Sequence, residues 1–188
     1  QNMSIVKFLF ELYLIILLLR FFLQLFGANS YNSAYGWVVK LSSPTIRLFE
    51  KLLPTHRHFN WACLLLIFIV KLVELLLLIW VQLHTLPHMG GLVIIAIGQL
   101  LYLTANIFFF SIILQAILSW VMMVQRKYLS IQEPLATLTN PLLTPVRRLL
   151  PNLGGLDISA IPVLIGLQLI QSFLLIPIVG FGIQLLLS

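Results

Sequence analysis

Lys71 and Glu74 stand three residues apart in the middle of an apolar run, the first spacing in this chain with the means to do chemistry. On a helix, residues three apart share a face, so an ammonium and a carboxylate placed this way can pair. In hydrocarbon an ionisable group costs from about 2.5 to more than 10 kcal/mol, so it normally has a partner or marks a path for an ion or proton. Glu11 lies at similar depth in the preceding apolar run once the antiparallel direction is counted, which opens a Glu11–Lys71–Glu74 cluster. Gln168 and Gln171 repeat the spacing in the last run with uncharged amides. Two chemistries fit these five residues. One is an ion or proton route. The other is a set of hydrogen bonds between helices that holds a bundle together, and this second reading is the one adopted.

Other candidates are weaker. His84 and His88 are four apart, as helical metal ligands would be, but Pro87 and Gly90-Gly91 argue for a turn, and two ligands do not close a site. Cys63 is the single cysteine, which excludes an internal disulfide and a thiolate metal cage. Gly-rich phosphate loops, a serine elbow and a haem-attachment motif are missing from the sequence. No catalytic residue, cofactor site or metal site is therefore expected.

The elements that position these residues follow from hydropathy. The chain has 188 residues, 61% hydrophobic and 9% charged, against about 25% charged in ordinary soluble domains. Such a surface cannot face water. The net charge of +6 reads as the basic excess of cytoplasmic loops rather than a nucleic-acid footprint. Apolar runs cover residues 5–26, 61–83, 92–124 and 158–187, each long enough to cross a bilayer as a helix. The first has no small-residue cleavage site after it and reads as a retained span. The fold class expected is an all-α membrane protein of four transmembrane helices, with Pro162 and Pro177 bending the last. The third span carries two opposed polar faces, Gln99, Tyr102 and Asn106 on one and Ser111, Gln115 and Ser119 on the other.

Charge sets the orientation. The first connection holds Lys40, Arg47, Lys51 and Arg57, and the third holds Arg126, Lys127, Arg147 and Arg148, whereas residues 84–91 contain neither lysine nor arginine. The basic connections belong in the cytoplasm, and both termini and the middle turn on the other side. Arg20, near the cytoplasmic end of the first span with Gln24 one turn on, is expected to snorkel to headgroups. Within the two long connections, Ser43-Pro44 and Asn140-Pro141 read as helix starts, with a capping side chain followed by proline at the first helical position. The short helices that follow, closed by Pro54 and Pro151, are amphipathic. Arg47, Lys51, Arg147 and Arg148 face anionic lipid headgroups in this reading.

A shift of 97 residues superimposes the halves: Pro44 on Pro141, Leu52-Leu53-Pro54 on Leu149-Leu150-Pro151, Lys51 on Arg148 and Asn60 on Asp157. This divides the chain into a first helix-loop-helix unit, 1–88, and a second, 89–188. An even number of spans in each unit makes them parallel repeats. The run from Thr139 through Asn140-Pro141 to Pro151, followed by Gly154-Gly155-Leu156-Asp157, resembles the signature of the YggT family of small bacterial membrane proteins. The second unit is close to that pattern. The first departs from it, with Arg57-His58-Phe59-Asn60 in place of Gly-Gly-Leu-Asp and Glu50 where arginine is usual. The resemblance implies a multi-pass protein of the bacterial inner membrane. It also carries associations with osmotic-stress tolerance and ion homeostasis, with cell division, and, in plastid relatives, with cofactor assembly on a membrane cytochrome. The expected function is non-enzymatic scaffolding or assembly of membrane complexes, with the lipid bilayer, other membrane proteins and an oligomer as partners and no nucleic acid. The alternative is a small oligomeric ion channel or transporter.

Overall fold

A computed structural model describes residues 2–51, 59–83, 88–125, 129–149 and 159–187. Every regular element among them is helical. In chain order these are α1 (Asn2–Leu25), α2 (Ser33–Glu50), α3 (Trp61–Leu83), α4 (Met89–Gln125), α5 (Gln132–Arg147), α6 (Ala160–Ile170), a π-helical turn (Gln171–Leu175) and α7 (Ile176–Leu187).

Three stretches, Trp61–Val81, Met89–Ser119 and Ala160–Leu186, are long and apolar enough to cross a membrane by length and composition. Their outward faces keep large apolar side chains exposed, Phe110 and Phe173 among them, the surface a lipid solvent demands rather than water. α1 is also long, at 24 residues, but Lys7, Glu11 and Arg20 interrupt its apolar character.

The ends of the helices are written in particular residues. Gly27, at φ 74°, ends α1 in the left-handed conformation that costs glycine nothing. The Ala28 N–H reaches the Leu23 carbonyl at 2.8 Å and the Gly27 N–H the Gln24 carbonyl at 3.2 Å, closing a Schellman motif. Asn32 caps α2, its Oδ1 accepting from the Ala34 and Tyr35 N–H groups at 2.9 and 3.4 Å. Asn60 does the same for α3, accepting from the Cys63 N–H at 2.9 Å.

One expectation needs correction here. Ser43-Pro44 and Asn140-Pro141 do not start helices; α2 and α5 begin at Ser33 and Gln132, more than two turns upstream, and Pro44, Pro141 and Pro145 lie inside them. Pro44 and Pro141 both face outward, where the carbonyl that each deprives of a helical donor is open to water or headgroups. The last apolar run stays one continuous helical stretch, Ala160–Leu186, with a π-turn between α6 and α7. Pro177 explains the turn. A proline ring clashes with the carbonyl four residues earlier, and widening the helix just before it, where the Ile176 N–H bonds to the Gln171 carbonyl, relieves that clash.

Packing among the described residues has three centres, the smallest being Ile112, Leu143 and Ala160 where α4, α5 and α6 meet; two are larger. In one, Leu14, Leu17 and Phe21 of α1 meet Cys63, Leu66 and Ile67 of α3, with Ile46 of α2 and Leu138 of α5 closing the ends. Phe22 and Phe108 bring α4 against α1, their rings edge-on at 5.1 Å. In the other, α4 lies along α7 with almost nothing between the backbones. A Cβ placed on Gly91 would stand 2.7 Å from the Leu186 nitrogen and 2.8 Å from the Gly182 carbonyl oxygen, and one on Gly182 would stand 2.7 Å from Ile95 Cγ1. Gly91 and Gly98, seven apart, share the face of α4 that makes this approach, as small residues do where helices associate in lipid.

Candidate functional site

Lys71 and Glu74 lie on the inward face of α3, 3% and 1% exposed, with the ammonium 2.9 Å from Glu74 Oε2. The expected pair therefore forms. The other carboxylate oxygen, Oε1, is buried with no hydrogen-bond partner among the described residues. In a low-dielectric surround a lone buried acceptor is costly, so this oxygen is the least satisfied polar atom described in the bundle.

The remaining polar residues fall into place differently. Glu11 does not join the pair; it is 40% exposed and sits 3.8 Å from Lys7, one turn back on its own helix. The signal for this was in the sequence, since Lys7 and Glu11 have the i, i+4 spacing. Gln171 is buried at the start of the π-turn and donates to Asn106 Oδ1 at 2.8 Å, joining α4 to the last run. Gln168 is exposed and takes no part in that contact. The opposite polar face of α4 is used as well, for the Thr139 hydroxyl of α5 donates to Gln115 Oε1.

Arg20 is the largest departure from expectation. It does not snorkel to headgroups, because α2 folds back over it. Its guanidinium donates to the Ser42 hydroxyl at 3.0 Å, the Ser43 hydroxyl at 3.3 Å and the Val39 carbonyl at 3.3 Å. Its second terminal nitrogen lies 3.5 Å from Glu50 Oε1. Asn60 Nδ2 donates to the same Glu50 oxygen at 3.1 Å and reaches Gln24 Oε1 at 3.5 Å. One cation thereby ties together α1, α2 and the start of α3. No local signal in the sequence reveals this node, since it depends on where α2 is laid.

The 97-residue shift reappears in contacts. Ser42 and its equivalent Thr139 are both fully buried, and each bonds back to the carbonyl four residues earlier, Val38 and Leu135. Each also meets a polar side chain of the long helix beneath, Arg20 in the first half and Gln115 in the second. Ile46 and Leu143, likewise 97 apart, are both buried. Asn32 joins the halves directly, its amide donating to the Ser130 carbonyl at 2.9 Å and Glu133 Oε2 at 3.0 Å.

Arg47, Lys51, Arg147 and Arg148 all project outward from the ends of α2 and α5. Arg147 bonds Asn140 Oδ1 at 3.2 Å. Of the motif residues, Asn140 and Pro141 are on the exposed face of α5, while Pro151, Gly154, Gly155 and Asp157 lie outside the described residues. Among the described residues no group of three or more His, Cys, Asp or Glu is placed to hold a metal ion.

The sequence profile of the CCB3/YggT family matches this chain twice, over residues 2–81 and 94–178. The chain belongs to the CCB3/YggT family. The two matched segments agree with the tandem units read from the sequence, and the YggT resemblance noted there is thereby established. Among its relatives, the Escherichia coli protein YggT is 34% identical over 152 residues, covering 79% of this chain and 76% of its own. A Haemophilus influenzae protein is 31% identical over 162 residues, 86% and 84% of the two chains. A Vibrio alginolyticus protein, named for the region 3' of proC, is 28% identical over 177 residues, 94% of each. None of these names states an activity. No solved structure matches the chain.

Proposed function

We propose that this CCB3/YggT chain is a non-enzymatic protein of the bacterial inner membrane that scaffolds or assists assembly of membrane complexes. In this reading α1 is a fourth span beside α3, α4 and the α6–α7 run. The two units are parallel, the start of α1 and the end of α7 are periplasmic, and α2 and α5 lie in the cytoplasmic interface. The observation that carries it is the manner in which α2 and α5 are held. Ser42, Ile46, Thr139 and Leu143 dock their inner faces on the bundle, leaving Trp37, Lys40, Arg47, Leu48, Arg147 and Arg148 facing outward. Lys40 lies 5.2 Å over the Trp37 ring. A fixed outer face mixing cations with indole and leucine suits contact with headgroups and with other membrane proteins at that depth. The family's association with osmotic stress would follow from such a role.

A second reading, an oligomeric ion-conducting unit, draws support from one observation, the orphaned Glu74 Oε1 beside Lys71. Ion and proton flux into proteoliposomes separates the two. Scaffolding expects flux no greater than in protein-free liposomes, and conduction above that level overturns it.

Orientation has its own test. Lys51 and Met89 are exposed at the ends of α2 and α4, and Cys63 is buried with its thiol toward the Leu17 carbonyl, so Cys63→Ser is a mild background. In that background Lys51→Cys should react with a membrane-impermeant maleimide only after the inner membrane is opened, and Met89→Cys should react in intact spheroplasts. The reverse pattern would invert the topology.

A further inference from the structure

Between the end of α1 and the start of α2 lies a cavity of about 520 Å³ whose walls are half polar in character. Arg20, Gln24, Ser30 and Tyr35 line it, and so do two glycines, Gly27 and Gly36. Gly27 is required by its left-handed turn, but Gly36 is informative, because a Cβ added to it would meet nothing within 4 Å. The cavity is therefore a place where a side chain is withheld rather than one the backbone crowds. Its polar groups are largely donors. The Gln24 oxygen is turned toward Asn60, which leaves its amide nitrogen, and serine and tyrosine hydroxyls can each donate. Burial pushes the Tyr35 phenol above its ordinary pKa, against a smaller opposing pull from the Arg20 charge, which keeps it a donor at neutral pH. Arg20 has one terminal nitrogen committed to Val39, Ser42 and Ser43 and the other beside Glu50, so the charge it can offer a ligand is partly neutralised. A singly charged anion suits that balance better than a doubly charged one. Tyr35 also lines a second, apolar cavity of about 210 Å³ with Leu19, Leu23 and Val38. Polar and apolar space thus share one side chain as a wall, an arrangement that suits an amphiphile.

We propose that this pair of cavities binds an anionic glycerophospholipid, with its phosphodiester among Arg20, Gln24, Ser30 and Tyr35 and hydrocarbon in the apolar cavity. The site is separate from the outward cations Arg47, Lys51, Arg147 and Arg148, which meet headgroups in bulk. It rests on the membrane reading above but not on whether the protein scaffolds or conducts, so a positive flux result leaves it standing.

The test is thermal unfolding of the full chain in neutral detergent, titrated in separate arms with phosphatidylglycerol, phosphatidylcholine and inorganic phosphate. Saturating phosphatidylglycerol should raise the melting temperature by about 5 °C or more, and the other two by less than a third of that. Gly36→Leu fills the cavity from a helix position with free space around it, and should melt no lower than the parent without lipid while losing most of the lipid shift. Ser30→Leu, at an exposed loop position, provides a second filling variant. Arg47→Gln/Lys51→Gln should keep the shift. An equal shift from phosphatidylcholine, an equal shift from inorganic phosphate, or a full phosphatidylglycerol shift in both filling variants would overturn the assignment.

Discussion

Lys71→Gln and Glu74→Gln are each expected to destabilise the protein in detergent by about 3–5 kcal/mol, the range for breaking one partner out of a buried ion pair. The geometry fixes the sign. With both groups almost fully buried and 2.9 Å apart, removing either leaves a charge in a medium that cannot solvate it. Glu74 Oε1 already lacks a partner, so Lys71→Gln strands both oxygens and should be the worse of the two. The double substitution should recover most of the loss, since it removes both buried charges together, and the second unit already holds a buried amide, Gln171, at the position equivalent to Glu74. There the buried amide of Gln171 is satisfied by Asn106 at 2.8 Å. Melting temperatures of the four proteins, with complementation of a deletion strain, decide the matter. A double mutant that is stable and well expressed but inactive in vivo would remove the structural account of the pair and promote ion conduction, because amides hydrogen-bond but do not exchange protons at neutral pH.

Gly91→Ala carries the second large effect. Its new methyl would lie 2.7 Å from the Leu186 nitrogen and 2.8 Å from the Gly182 oxygen. Both are backbone atoms that cannot rotate away, so α4 and α7 must part. Overpacking of this kind costs about 1–3 kcal/mol, roughly 2–12 °C of melting temperature for a chain of this size. Gly98→Ala should cost less, because its nearest obstacle is Val179 Cγ2, the end of a side chain. Gly36→Ala, with nothing within 4 Å, should be neutral or stabilising by up to about 1 kcal/mol. If Gly91→Ala melts with the parent, the tight α4–α7 contact is not what holds the second half together.

What sequence could and could not foresee divides along physical lines. Residues 61–83 were legible as a helix to the residue, because hydropathy over some twenty positions is a property of the segment alone. The Lys71–Glu74 pair was legible for the same reason, as three residues of one helix need no tertiary information. Glu11 pairs with Lys7 rather than joining Lys71 because depth along a helix is a weaker constraint than a spacing of one turn. The starts of α2 and α5 are not legible, because proline is favoured in a first turn but also tolerated on an outward helix face, and sequence alone does not separate the two. Asn32, the true cap of α2, is as good a capping residue as Ser43. The place of Arg20 depends on α2. A cation near a helix end snorkels only when nothing is laid over it, and whether the chain doubles back is decided by Ile46, Ser42 and the Schellman turn at Gly27 acting together. The α4–α7 approach left only its glycines as a trace, unreadable without knowing which helix lies opposite.

Asn32 has a consequence for the order in which this molecule is made. Its Oδ1 can cap α2 as soon as residue 35 has been synthesised, but its amide waits for Ser130 and for Glu133, 101 residues downstream. At about 5–20 residues per second, that is an interval of roughly 5–20 s on the ribosome. During it the first unit has its helix caps, its α1–α3 contacts and its Arg20–Glu50 node from its own residues, while Phe108 and Leu138, which complete that core, belong to the second unit. The cross-link between units therefore comes late, joining a half that is already internally bonded to one still emerging. α4 reaches the first unit earlier, with Phe108 on Phe22 and with Leu92 and Ile95 beside Leu75, and α5 then adds Leu138 and the Asn32 link.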